Sequence, residues 1–370
     1  MLRIDRRLIT NFDFAGFFLI LTITFIGLLT VFSATTSGSE RFSYYFIKQL
    51  EGTFAALGIY LLFCSIGYEK IERWSYFLFF FVVILLGITL IKGSIGMGAQ
   101  RWISIAGVKF QPSEIVKILF PAFFSYFLTT EKRPFTTNTF KPLIIILCVV
   151  TVLVLKQPDL GTAIIILVSG CILLMVAGLN KKFFIIAAMV IALAAPLCWS
   201  LLKPYQKNRI IVFMGGGDSH KERYHIEQSK IAIGSGRFFG KGYLQGTQNH
   251  LCFLPERRTD FIFSVFAEEF GFVGCCILIM LFFLLFYHLY SIIVTVTDKN
   301  AQLLMYGLIT PLVLSTGINI GMVLGLTPIV GIPLPFMSYG LTHTLITFAM
   351  CGWINSILMR RGSMVKKTEG

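Results

Sequence analysis

Four short stretches of this 370-residue chain hold charged or strongly structure-breaking residues at spacings that could do chemistry. The first is Gln111-Pro112-Ser113-Glu114-Ile115-Val116-Lys117. Pro112 suits the first position of a helix, where its missing N–H costs nothing. Glu114 then falls in the first turn, where the helix dipole favours a carboxylate. Lys117 follows at i+3 and shares its face. A carboxylate and an ammonium side by side form a neutral pair that an apolar span tolerates, either as a structural ion pair or as part of a site. The second stretch, Gln157-Pro158-Asp159-Leu160-Gly161-Thr162, repeats the Gln-Pro opening. Asp159 is placed to cap the following helix, to bind a ligand, or to do both.

The third is Asp260, directly after Arg257-Arg258-Thr259 and directly before an apolar run. A carboxylate at such a junction could take a proton from a substrate hydroxyl, and neighbouring arginines could hold a phosphate or diphosphate. A local salt bridge is the simpler alternative. Glu268 and Glu269 lie about two turns further along, and Glu268 at i+8 is the better aligned with Asp260 on a common helix, facing the protein interior. The fourth runs through Asn319, Gly321 and Gly325 to Gly331-Ile332-Pro333-Leu334-Pro335-Phe336 and Ser338-Tyr339-Gly340. Two prolines two apart, after several glycines, argue against a continuous helix. A tight turn would satisfy the pattern. So would a broken, partly re-entrant segment, which must be buried in protein or line a cavity.

The elements that hold these residues follow from composition. Apolar residues make up 56% of the chain and charged residues only 14%, against roughly a quarter charged in an ordinary soluble domain. No soluble core hides that much apolar surface. A soluble globular enzyme and a disordered chain are both excluded. The apolar residues come in long continuous runs, not in alternation, which excludes a β-barrel. The fold class is an all-α polytopic integral membrane protein with about ten transmembrane helices, each needing roughly 20 apolar residues. The spans are expected near 14–34, 50–67, 75–92, 113–130, 141–156, 160–178, 182–202, 261–291, 303–326 and 336–358. Ionisable groups inside or at the ends of such spans are costly and read as functional by default.

The net charge of +14 does not indicate nucleic acid here, because the basic residues gather in short loops on one side. Arg3, Arg6, Arg7, Lys70, Arg73, Lys132, Arg133, Lys141, Lys181, Lys182, Lys299, Arg360, Arg361, Lys366 and Lys367 share the side that an excess of Lys and Arg marks as cytoplasmic. Both termini then lie in the cytoplasm. The opposite short loops hold few, among them Arg41, Arg101 and Lys156. All four candidate stretches face outward. One outer loop is long, 203–260, between the seventh and eighth spans. It is basic and glycine-rich, and a short amphipathic helix is expected from Tyr224 to Ile233, stopped by Gly234. A second outer loop, 93–112, places Trp102 beside Arg101 as an interfacial segment does.

The eight cysteines show no CxxC spacing, so neither a zinc site nor a disulfide framework is expected. His250 and Cys252 alone are too sparse for a metal centre. No Walker glycine loop, HExxH or GxSxG occurs. Lone histidines such as His288 and His343 read as packing residues. The first apolar run is too long for the core of a cleavable signal peptide.

With these motifs in view, the chain resembles the SEDS family (shape, elongation, division, sporulation) over nearly its whole length, and the short tails favour its RodA branch over its FtsW branch. The segments that carry the resemblance are GAQRWI at 98–103, QPSEIVK at 111–117, KQPDLGTA at 156–163, AIGSG at 232–236, GKGYLQGTQ at 240–248, FLPERRTDFIFSVFAEE at 253–269 and GIPLPFMSYG at 331–340. One departure follows Ser338-Tyr339-Gly340: the family's usual further glycine and serines give way to Leu341-Thr342-His343, which bears on packing at the top of the tenth span.

The resemblance implies one SEDS membrane domain over 1–370 and a peptidoglycan glycosyltransferase that polymerises lipid II on the outer face of the bacterial inner membrane during elongation. It implies a class B penicillin-binding protein transpeptidase as partner, among other elongation-complex membrane proteins. It also implies that Asp260 is the essential residue and that Glu114 and Lys117 line the same cavity. In such a reaction an acceptor sugar hydroxyl attacks the anomeric carbon of a donor, an α-linked diphosphate leaves and a β-1,4 bond forms with inversion. Diphosphate leaves without the acid a glycosidase needs, so one base and positive charge suffice. Asp260 is the expected base. Lys117, Arg101, Arg257 and Arg258 are the expected cations, Glu114 orients Lys117 or the acceptor sugar, and Gln111 and Asp159 join the substrate site. No carboxylate cage for a metal is visible in the sequence, although a divalent cation, Mg2+ or Mn2+, could share the neutralising task. A lipid II flippase or transporter is the rival reading, since broken helices and intramembrane charges serve transport too, and a non-catalytic scaffold is a third.

Overall fold

The computed structural model describes residues 10–36, 42–96, 99–105, 108–130, 137–201, 207, 211–212, 216, 220–247, 254 and 256–361. Expectations resting on Arg3, Arg6, Arg7, Arg41, Lys132, Arg133, His250, Cys252, Lys366 and Lys367 lie outside them. Eleven helices are numbered here in chain order: α1 Phe14–Thr35, α2 Tyr44–Ser65, α3 Tyr68–Lys92, α4 Pro112–Thr130, α5 Thr137–Lys156, α6 Leu160–Val176, α7 Lys181–Leu201, α8 His220–Ser235, α9 Ile262–Thr295, α10 Lys299–Val323 and α11 Leu341–Met359. Polar side chains open several of them by accepting backbone N–H groups that have no partner within the helix. Asp13 accepts from Gly16, Ser43 from Tyr45, Asp159 from Thr162 and Asp298 from Asn300.

A helix coincides with each of the ten expected spans, but seven of them are long and apolar enough to cross a membrane by length and composition. α6, at 17 residues, is apolar but short. α4 carries a glutamate and a lysine in its first two turns. α9 is apolar on every side and leaves Phe272, Ile277, Met280 and Phe283 exposed, as a helix bathed in lipid does. α11 is the opposite and is buried over most of its length. It packs along α2, where Gly352 comes so close that a β-carbon there would stand 2.6 Å from the Tyr60 carbonyl oxygen.

Two features depart from the expectation. The fold is not wholly helical: the segment after α3 forms an antiparallel three-stranded sheet, β1 Ser94–Gly96, β2 Ala99–Ile105 and β3 Val108–Phe110, in the order β1-β2-β3. Ile103 pairs with Phe110, and Ile105 with Val108. The β-branched residues alternating along β2 suit a strand, and the segment is too short and too polar to continue as a span. The helix of the long loop between the seventh and eighth expected spans is also longer than expected. α8 covers 16 residues and lies along α9, where the hydroxyls of Ser229 and Ser264 meet at 2.9 Å and Ser229 donates to the Val323 carbonyl at 2.7 Å.

The chain after α8 is built into α9. Gly271 sits inside α9 with φ 67°, a left-handed conformation that breaks the helical ladder. The N–H groups of Phe272 and Val273, released at the break, donate to the Arg237 and Phe238 carbonyls at 2.8 and 3.1 Å. In return Lys241 and Gly242 donate their N–H groups to Glu268 and Glu269, both at 3.0 Å. The Lys241 ammonium pairs with the buried Glu268 carboxylate at 2.6 Å, and Glu269 accepts from Ser33 on α1.

Candidate active site

α4 opens beneath β2, and Pro112 sets its direction. Glu114 and Lys117, one turn apart, are both almost fully buried, and the Lys117 Nζ lies 2.6 Å from Glu114 Oε1. The other carboxylate oxygen, Oε2, meets Nδ1 of His343 on α11 at 3.2 Å. The ion pair expected from spacing is therefore a three-membered cluster joining two helices. His343, which the sequence reads as a packing residue, lines the site. Its one signal was that it stands three residues into a span opening on the same face as Glu114.

The second Gln-Pro stretch meets the first. Gln111 Nε2 donates to Asp159 Oδ2 at 2.7 Å and to Ser113 Oγ at 3.1 Å. Asp159 Oδ1 caps α6 through the Thr162 N–H at 3.2 Å, and Arg101 Nη1 on β2 lies 3.6 Å away. Capping and contact with Arg101 thus occur together. The Nε of Arg101 is buried without a hydrogen-bond partner among the described residues.

Asp260 lies in the turn just before α9, not on it, so it shares no helix face with Glu268. The expected alignment of the two is corrected by that start: Glu268 is taken up by Lys241, Thr247 and Ser235 behind the site. Asn319, at the end of α10, holds the turn in place. Its Nδ2 donates to the Asp260 carbonyl at 2.9 Å and to the Ile332 carbonyl at 2.7 Å. The connection 324–340 is non-helical and largely buried, with Val330, Ile332, Leu334 and Phe336 inside the protein. It is a broken segment, not a simple tight turn. Ser338 ties it to the Asp260 turn by donating to the Thr259 carbonyl at 2.6 Å. Gly331 has φ 70° and faces Asp260, whose Oδ2 would lie 3.4 Å from a β-carbon at 331.

These parts enclose a cavity of about 840 Å³. Arg101, Gln111, Glu114, Lys117, Asp260 and His343 line it, with Gly331, Ile332 and Pro333 from the broken segment and Lys48 and Glu51 from α2. Gln49 sets the rim by accepting from the Gly340 N–H at 3.1 Å and donating to Thr344 at 3.2 Å. Two expected cations are elsewhere. The Arg258 guanidinium lies 3.7 Å over the Tyr45 ring and faces Tyr339 at 6.0 Å, and neither Arg257 nor Arg258 lines the cavity. Flat stacking on aromatic faces competes well for a guanidinium. Burial holds the Tyr339 phenol above its ordinary range, with the Arg258 charge pulling the other way.

Among the described residues no group of three or more His, Cys, Asp and Glu side chains converges as a metal centre requires. Glu114 is spent on Lys117 and His343, and Asp159 on Gln111 and its helix. Asp260 shares the cavity with the fixed positive charge of Lys117 and Arg101. The arrangement suits proton abstraction beside an anionic group.

A family model described as "Cell cycle protein", for FtsW, RodA and SpoVE, matches residues 14–362. Similar curated proteins include peptidoglycan glycosyltransferase MrdB of Escherichia coli strain K12, 39% identical over 297 residues, which are 80% of this chain and 80% of that protein. Peptidoglycan glycosyltransferase MrdB of Helicobacter pylori strain J99 is 35% identical over 91% of this chain and 87% of its own. Among solved structures, a chain of a peptidoglycan synthase complex that coordinates polymerization and crosslinking has the same fold, with a TM-score of 0.81, 24% identity and coverage of 95% of this chain and 98% of that one. The rod shape determining protein RodA of Thermus thermophilus gives a TM-score of 0.71 at 25% identity, covering 95% and 97%. With the family model spanning nearly the whole chain and relatives well above 30% identity, this chain belongs to the FtsW/RodA/SpoVE (SEDS) family and is RodA-like.

Proposed function

We propose that this protein is a peptidoglycan glycosyltransferase of cell elongation, which polymerises lipid II at the outer face of the bacterial inner membrane with inversion at the anomeric carbon. Asp260 is the general base. It takes the proton of the acceptor sugar's 4-hydroxyl as that oxygen attacks the anomeric carbon of the donor. The bond from that carbon to the diphosphate breaks, undecaprenyl diphosphate leaves with the electron pair, and the proton passes from Asp260 to solvent. Lys117 and Arg101 steady the departing charge, Glu114 fixes Lys117, and Gln111 and Asp159 fix Arg101.

The carrying observation is that Asp260 lines one cavity with Lys117 and Arg101, although the three come from three separate parts of the chain. A largely apolar wall strengthens each charge interaction beside it. The glycosyltransferase names of the curated relatives support the same chemistry. A divalent cation, Mg2+ or Mn2+, would share the neutralising of the diphosphate.

The coordination of polymerization and crosslinking in the synthase complex among the structural neighbours supports a crosslinking partner, which we read as a class B penicillin-binding protein transpeptidase; other elongation-complex membrane proteins remain part of the same proposal. The basic residues at the described ends of the spans support cytoplasmic termini.

The test is purified protein, with and without its partner, incubated with lipid II in detergent. Glycan polymer is expected from the native chain and none from a well-folded Asp260→Asn variant. Polymer from that variant removes Asp260 from the mechanism. A flippase has no compartment to work across in detergent, and a scaffold makes no product, so absence of polymer from the native chain favours those readings.

A further inference from the structure

We infer that His343 is a substrate-binding residue, whose Nε2 accepts a hydrogen bond from a hydroxyl or amide N–H of the lipid-linked sugar. The inference rests on the glycosyltransferase reading above and adds a contact that the reading does not require. His343 is 8% exposed and lines the cavity, and its Nε2 is buried without a partner among the described residues. A buried polar atom left unpaired costs more than a hydrogen bond returns, so a native structure keeps one where a ligand completes it.

The chemistry of the missing partner follows from the other ring nitrogen. Nδ1 meets Glu114 Oε2 at 3.2 Å. A carboxylate only accepts, so Nδ1 carries the hydrogen. Lys117 already balances the Glu114 charge at 2.6 Å, and the cluster needs no second cation. Nε2 of the neutral ring therefore carries an unshared lone pair, on a residue that lines the cavity. A diphosphate, which offers only acceptors, does not fit a lone pair. A sugar hydroxyl or acetamido N–H does. Asp260 and His343 Nε2 are then the acceptors of the cavity, suited to sugar, while Lys117 and Arg101 are its cations, suited to diphosphate. α11 carries the ring into place because Gln49 and Ser338 hold the turn ahead of it.

Two substitutions separate this role from a merely structural one. His343→Asn keeps an N–H where Nδ1 stands and so keeps the Glu114 contact, but it has nothing at the position of Nε2. His343→Gln reaches the position of Nε2 with an acceptor oxygen and gives up the Glu114 contact. Purified native protein and both variants are compared for glycan synthesis over a range of lipid II concentrations, with thermal unfolding in detergent as the control for folding. His343→Asn is expected to raise KM for lipid II about tenfold, the effect of one lost hydrogen bond, with kcat within about twofold, and His343→Gln is expected to stay near native. Native behaviour of His343→Asn, or a loss in His343→Gln as large as or larger than that in His343→Asn, overturns the inference. Binding of fluorescent lipid II to the same three proteins reads the contact without turnover. If the native chain makes no polymer, the glycosyltransferase reading fails, and weaker binding by His343→Asn than by His343→Gln still supports the contact, whereas equal binding overturns it.

Discussion

The side-chain amide of Gln111 donates to the carboxylate of Asp159 across 2.7 Å, joining the openings of α4 and α6, which lie 48 residues apart. Asp159 also caps α6 and faces Arg101, so one side chain fixes two helices and a strand at the rim of the cavity. Asp159→Ala removes all three contacts. It is expected to lower stability by about 1 kcal/mol for the lost cap alone. Asp159→Asn retains a capping oxygen and is expected to unfold close to native, while losing the charge opposite Arg101. If Arg101 is held for the diphosphate, both variants slow polymerisation. Thermal unfolding in detergent, paired with the lipid II assay, separates the cap from the charge.

Glu114 and Lys117 form an ion pair at 2.6 Å, with side chains 6% and 4% exposed. Removing one partner leaves the other charge almost fully buried and unpaired. Glu114→Gln and Lys117→Met are each expected to lose most activity and to cost about 3–5 kcal/mol. The double variant leaves no stranded charge and is expected to be more stable than the sum of the singles implies, yet inactive. Near-native activity in both single variants would mean that the pair is only structural.

Gly331→Ala tests the wall opposite the base. At φ 70° the backbone is left-handed, and a β-carbon there costs about 1–2 kcal/mol. That β-carbon would also stand 3.4 Å from Asp260 Oδ2, inside the space an acceptor hydroxyl would use. The expected outcome is a variant that still inserts and folds but polymerises slowly. A fully active Gly331→Ala protein would show that the acceptor does not approach from this side.

Asn319→Asp keeps the shape and removes the two donations that hold Asp260 and Ile332. Each carbonyl left unpaired costs about 1–3 kcal/mol, and the new carboxylate faces two carbonyl oxygens. Lower thermal stability and lower kcat are expected together, with KM for lipid II little changed, because the substitution shifts the base and touches no ligand. An unchanged kcat would separate the Asn319 brace from catalysis.

Apolar runs and local spacing determined much of this protein from sequence alone. A helix that must hide its backbone from lipid leaves a long uninterrupted signature, so each expected span has its helix. Lys117 was legible as the partner of Glu114 because i+3 is one turn of helix. The caps at Asp13, Asp159 and Asp298 are local in the same way.

Tertiary structure decided what no local rule carries. Glu114 meets His343 from 229 residues away, Arg258 turns to Tyr45 and not to the cavity, and Glu268 belongs to Lys241. A break at Gly271 lets a distant loop complete the α9 backbone. A side chain's partner depends on which helices pack together and how far each is rotated. That outcome is set by the sum of many weak contacts along their length, while capping and i+3 pairing are settled within a single turn.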